Sequence, residues 1–143
     1  MSIPARVTVV TIGARDLVAL TAFYDALGWQ RGESSDDDFV IYRMAGAALA
    51  LYPREALAED AHVESGPSVD YRGVTFGVNV ERKEQVDEAI ATAQGAGAVV
   101  TKAPEDAFWG GRSAYFADPE GNLWEVAWAP MFPFDERGAL IVP

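Results

Sequence analysis

The strongest constraint on this chain is an internal duplication of its element order. Residues 7–13 are mostly apolar and β-branched, as a strand requires, and a helix follows. Asp16 can cap the free amides of that helix's first turn, and Leu17, Leu20, Phe23, Tyr24 and Leu27 recur at helical spacing until Gly28. Three β-type pieces come next, at residues 29–33, 39–44 and 47–53, separated by Ser34-Ser35-Asp36-Asp37-Asp38 and Ala45-Gly46. The order then restarts. Residues 74–80 have strand character, and residues 83–96 carry Val86, Ala89, Ile90 and Ala93 on one helical face before Gly97. Three further strands are expected at 98–102, 112–117 and 123–129, the last two joined by Asp118-Pro119-Glu120-Gly121-Asn122, a strong turn signal. The repeat distance is about 65 to 75 residues.

The expected fold class is therefore α+β, with two tandem βαβββ modules in one domain. Module one spans residues 6–53, a linker 54–72, module two 73–129 and a C-terminal tail 130–143. Neither half alone can bury much core, so two sheets should share an interior. The tail contains Met131, Phe132, Phe134, Leu140, Ile141 and Val142 and is too apolar to stay in water; it should pack on the domain or on a partner subunit.

Composition removes many functions. With 22 acidic against 11 basic residues the formal charge is −11, which repels phosphate backbones, so nucleic acid is not an expected partner. There is no cysteine, hence no disulfide, thiolate nucleophile or iron–sulfur cluster, and the single histidine, His62, excludes a site needing two imidazoles from one chain. The longest run without a charge, residues 89–101, falls short of the roughly 18 to 20 apolar residues of a membrane span. No membrane association and no secretory signal are expected, and the chain is read as cytoplasmic.

Ala14-Arg15-Asp16-Leu17 leading into Phe23-Tyr24-Asp25-Ala26-Leu27-Gly28-Trp29, together with Asp118-Pro119-Glu120-Gly121-Asn122-Leu123-Trp124-Glu125, closely resembles the vicinal oxygen chelate superfamily of glyoxalases, bleomycin-resistance proteins and extradiol dioxygenases. The resemblance runs over residues 7–129. It implies that the two mixed sheets curve around a shared cleft. In the superfamily's metalloenzymes it also implies a divalent ion held by His, Glu or Gln from the first and last strands of each module. Glu125 alone meets that requirement here. Residues 7–11 supply no imidazole or carboxylate, nor do Leu49, Ala50 and Leu51, nor Gly73, Val74 and Thr75. A lone carboxylate does not retain a transition metal against water, so no metal and no cofactor are expected.

Strand alternation puts Trp124, Val126 and Trp128 on one face and Glu125 on the other, where a carboxylate suits cation binding or acid–base work, or stands as a structural relic. Trp109, followed by Gly110-Gly111, is either a lid or a plug at the cleft mouth. Tyr42, Tyr52, Phe76, Tyr115 and Arg112 lie on or beside strands that would line the same cavity, and alternation does not say which of the aromatics are core. Asp36-Asp37-Asp38 lacks the spacing of a calcium loop and is read as a solvated hairpin tip. Gly95-Ala96-Gly97 ends a helix and is not a phosphate loop.

The expected function is metal-independent binding of a small molecule, the acidity favouring a cationic aromatic, by a homodimer of the bleomycin-resistance type. The alternative is a metal-dependent lyase, isomerase or dioxygenase in which His62, Asp70 or a neighbouring subunit assists Glu125. A metal-free enzyme using Glu125 as proton acceptor and a protein-binding module acting through the tail are the remaining readings.

Overall fold

The computed structural model describes residues 5–67 and 71–142. Its elements, in chain order, are β1 (Val9–Ala14), α1 (Leu17–Ala26), β2 (Val40–Tyr42), β3 (Ala48–Pro53), α2 (Arg54–Asp60), β4 (Thr75–Val80), α3 (Gln85–Gly95), β5 (Val99–Asp106), β6 (Arg112–Ala117) and β7 (Leu123–Trp128). One sheet has the order β1-β3-β2 and the other β4-β7-β6-β5, and the two sheets are separate. In each, the first strand of the module pairs in parallel with its last strand, and the hairpin partners run antiparallel. The duplication seen in the sequence is thus a duplication of topology.

The modules differ in one strand. Residues 29–33 were expected to be extended, yet only Arg31 pairs, as a single antiparallel bridge to Tyr42. Trp29 instead turns inward and stacks on Tyr24 at 5.3 Å; the Gly32 and Arg43 amides flank the bridge, donating to the Ile41 and Gln30 carbonyls, and Ser35 closes a turn onto Gly32. Packing of the indole has overridden strand propensity at this position. The linker also departs from expectation, since its first seven residues form α2. That helix lacks a capping side chain and holds no fully buried residue, but it packs on β1 and β3.

A single core joins the modules. The helices α1 and α3 bury Leu20, Phe23, Tyr24, Val86 and Ile90 against Ile12, Leu49 and Leu51 of one sheet and Ala114, Phe116, Trp124 and Val126 of the other. Asp16 caps α1 as the sequence implies, its carboxylate accepting from the Ala19 amide at 3.0 Å. The connection between modules is polar as well as apolar. Tyr24 donates to Asp118 Oδ2 at 2.6 Å and accepts from Trp124 Nε1 at 3.0 Å, so a helix of module one is bonded to the turn and last strand of module two. In that turn the Asp118 carboxylate accepts the Glu120 and Asn122 amides, and Gly121 sits at φ +82°, a conformation that favours glycine. Among the described residues no helix is long and apolar enough to cross a membrane.

Candidate functional site

Because β1 pairs with β3 and β4 with β7 in the same parallel fashion, corresponding positions of the modules can be read from register. The third residues of these four strands are Thr11 opposite Ala50 and Gly77 opposite Glu125. Thr11, Ala50 and Glu125 fall where the superfamily resemblance places metal ligands, and the register partner of Glu125 is Gly77, two residues beyond the expected stretch 73–75. Three of the four carry a hydroxyl, a methyl group and a hydrogen atom. Among the described residues no group of three His, Asp or Glu side chains is close enough to share an ion. His62 lies exposed on the turn after α2, at φ 58°, and Asp70 lies outside the described residues. The residues present therefore do not fit the superfamily's metal.

Glu125 projects from the face of its sheet opposite the core, as alternation requires, while Trp124 and Val126 enter the core. Its neighbour across β6 is Tyr115, whose hydroxyl donates to Glu125 Oε2 at 3.1 Å. Burial, and then the adjacent Glu125 carboxylate, raise the Tyr115 pKa, with a smaller contribution from Tyr71. The Lys102 ammonium lies 5.7 Å from the Tyr115 ring centroid and 3.3 Å from Ser113 Oγ. The surface around Glu125 is accordingly an open sheet face bearing a carboxylate, a phenol and an amine.

The other residues expected at one cleft are dispersed. Tyr42 is 1% exposed; its hydroxyl is directed to the Thr21 carbonyl and Asp25, making it a core residue rather than a ligand contact. Arg112 faces α3, where two of its nitrogens meet both oxygens of Asp87 at 2.8 and 2.9 Å and a third reaches Asp106 at 3.1 Å. It is a structural clamp between helix and sheet, and the fork of a guanidinium explains why an arginine stands there. Trp109 folds back over Gly111 beside the Trp128 carbonyl. Tyr52 packs edge-on to Phe39 at 6.2 Å, under α2.

Only Phe76 lines the cavity that opens between the modules. That cavity measures about 420 Å³ and is bounded by Thr11 and Arg15 from module one, by Tyr71 and Arg72 at the end of the linker, and by Phe76 and Leu123 from module two. Glu125 and Tyr115 do not line it; the residue of β7 that does is Leu123, which by alternation shares its sheet face with Glu125. Sequence reasoning missed Arg15, Tyr71 and Arg72. Arg15 was read as part of a helix-start motif, and Tyr71 and Arg72 fell in the segment taken as linker; only the meeting of the two modules brings them together.

Two copies of a βαβββ unit with equivalent strand order and a cavity at their junction define a glyoxalase-type framework. The chain matches the Glyoxalase/Bleomycin resistance protein/Dioxygenase superfamily over residues 6–126, and it belongs to that superfamily. Among solved structures it is similar to a glyoxalase-related enzyme from Fulvimarina pelagi, with 27% identity and a TM-score of 0.87 over 97% of this chain and 99% of that one. A glyoxalase/bleomycin resistance protein/dioxygenase family enzyme from Burkholderia phytofirmans PsJN is 28% identical, with a TM-score of 0.77 over 86% and 98% of the two chains. Lactoylglutathione lyase from Agrobacterium tumefaciens, 21% identical with a TM-score of 0.66 over 92% and 98%, shares the fold alone. No curated protein matches the chain.

Proposed function

We propose that this chain binds a small organic molecule without a transition metal, at the junction of its two modules. The observation that carries the reading is the register: Thr11 pairs with Ala50 and Glu125 with Gly77, so Glu125 is the one carboxylate among them, and a single carboxylate falls short of the about three protein ligands of a catalytic zinc site. The cavity at the module junction has the size of a small-ligand site and an aromatic wall in Phe76 and Tyr71. The net charge of −11 sets the long-range field, which salt screens within about 8 Å, so recognition at contact depends on the groups that line the cavity. The chain acts as a homodimer in this reading, supported by the unpaired outer edges of β1 and β4 and by exposed Val7, Val9 and Val74 beside them.

Elemental analysis of protein purified without added metal, combined with calorimetric titration of small aromatics before and after chelator treatment, tests the proposal. The expected result is substoichiometric Zn, Mn, Fe and Ni and unchanged binding after chelation. Stoichiometric metal whose removal abolishes binding would establish the lyase, isomerase or dioxygenase alternative instead.

A further inference from the structure

We propose that the cavity between Arg15 and Arg72 receives the carboxylate of a small organic acid, whose apolar body lies against Phe76 and Tyr71. This rests on the metal-free binding reading and adds the ligand's charge to it, opposite in sign to the one the overall composition suggests.

The chain has twice as many acidic as basic residues, so a cation on its surface readily finds a carboxylate. Arg31, Arg43, Arg82, Lys83, Lys102 and Arg112 all do. Arg54 is committed to the carbonyls of Ser65 and Gly66. Among the described residues Arg6, Arg15, Arg72 and Arg137 have no ion pair, and of these Arg15, from module one, and Arg72, at the end of the linker, line the same cavity. Among the described residues Arg72 makes a long contact, 3.4 Å from Nη1 to Asn122 Oδ1. The carboxylate in the lining, Glu120, is engaged elsewhere: its Oε2 accepts the Asp16 amide at 3.0 Å. Two guanidiniums thus face one carboxylate that is already hydrogen-bonded.

That balance selects the ligand. A guanidinium presents paired N–H donors that match the two oxygens of a carboxylate, and charge-assisted bonds of this kind are roughly twice as strong as neutral ones. A monoanion neutralises the excess of one positive charge at the cavity. A phosphate dianion would leave a net negative charge inside a protein that already carries −11. The aromatic wall requires an apolar body behind the charge.

The test is calorimetric titration of the metal-free full chain with benzoate, benzamide, benzylamine and inorganic phosphate. Benzoate is expected to bind at least about tenfold more tightly than the other three. Arg15→Gln and Arg72→Gln should each weaken benzoate by about tenfold while leaving benzamide unchanged. Both arginines are exposed, so the variants should fold, which thermal melts will verify. Arg137→Gln, which removes the same charge from the tail, controls for the overall field and should leave benzoate binding unaltered. Equal binding of benzamide and benzoate would overturn the inference while sparing metal-free binding, as would indifference of benzoate to both arginine variants. Phosphate matching benzoate, or no probe binding at millimolar concentration, would also overturn it. Chelator-sensitive binding would instead strike the functional reading beneath it.

Discussion

At the scale of single residues, the most consequential group outside the cavity is the Tyr24 hydroxyl. It satisfies two buried partners at once, accepting from the Trp124 indole and donating to Asp118, an aspartate 4% exposed. Tyr24→Phe leaves the indole N–H without an acceptor and removes a donor from a buried carboxylate. Urea unfolding should show a loss of about 2–3 kcal/mol, more than the loss of an ordinary hydrogen bond. The same residue predicts an alkaline limit. Burial, and then Asp118, push the Tyr24 pKa above its ordinary value of 10.0, and burial followed by the bond to Asp25 does the same for Tyr42. In the unfolded chain both phenols ionise near pH 10, whereas the folded chain keeps their protons. The folded state therefore binds more protons above that pH, and its stability must fall as pH rises beyond 10, being fully present below it. Urea midpoints should decline steeply above about pH 10, and tyrosinate absorbance from Tyr24 and Tyr42 should appear only with unfolding. A native-state titration of all five tyrosines near pH 10 would contradict this.

At the scale of elements, the segment leading into β6 is the most tightly constrained. Gly111 is buried, and a Cβ there would overlap the Trp109 ring and the Trp128 carbonyl. The ring could swing outward; the carbonyl is backbone in the neighbouring strand and could not. Gly111→Ala should therefore cost about 1–3 kcal/mol and alter tryptophan emission, and a Trp109→Ala background should not restore stability. Wild-type stability in Gly111→Ala would show that the β6–β7 edge is loose. The same segment shows what the sequence can and cannot disclose. The two-glycine step after Trp109 reads in the sequence as a lid or a plug at a cleft mouth, and the close packing of Gly111 on the Trp128 carbonyl depends on a neighbouring strand. The module period, the α1 cap and the apolar faces of α1 and α3 were legible because they are set by local spacing. Helix α2 was not, since Arg54-Glu55-Ala56-Leu57 has neither a side-chain cap nor a buried stripe and is ordered by contact with β1 and β3. Glu125 was legible through strand alternation. Arg15 and Arg72 were not, because 57 positions separate them and their meeting is a product of tertiary structure.

At the scale of the whole molecule, the tail distinguishes packing within one chain from packing between chains. Beyond β7, Asp135 closes a small hairpin by accepting the Arg137 and Ala139 amides, both at 2.9 Å, and Phe134 pairs with Leu140. Phe134 and Leu140 then roof a second cavity of about 550 Å³, walled by Trp29 and Met44 of module one and by Val78 and Trp124 of module two. The hairpin thus bridges both modules, consistent with an apolar tail that cannot remain in water. Its outer side still exposes Met131, Ile141 and Val142. If the tail serves the fold, truncation after Pro130 should uncover Trp29, shift tryptophan emission to the red and lower stability by about 2 kcal/mol, the scale of one large apolar side chain's burial. Benzoate binding should persist, because the Arg15–Arg72 cavity is lined by no tail residue. If the exposed stripe serves a partner subunit, light scattering will show truncation changing the oligomeric state while the unfolding midpoint at low protein concentration stays fixed. One outcome requires the deletion to lower stability and the other to leave it fixed, so a concentration series of the truncated chain decides between them.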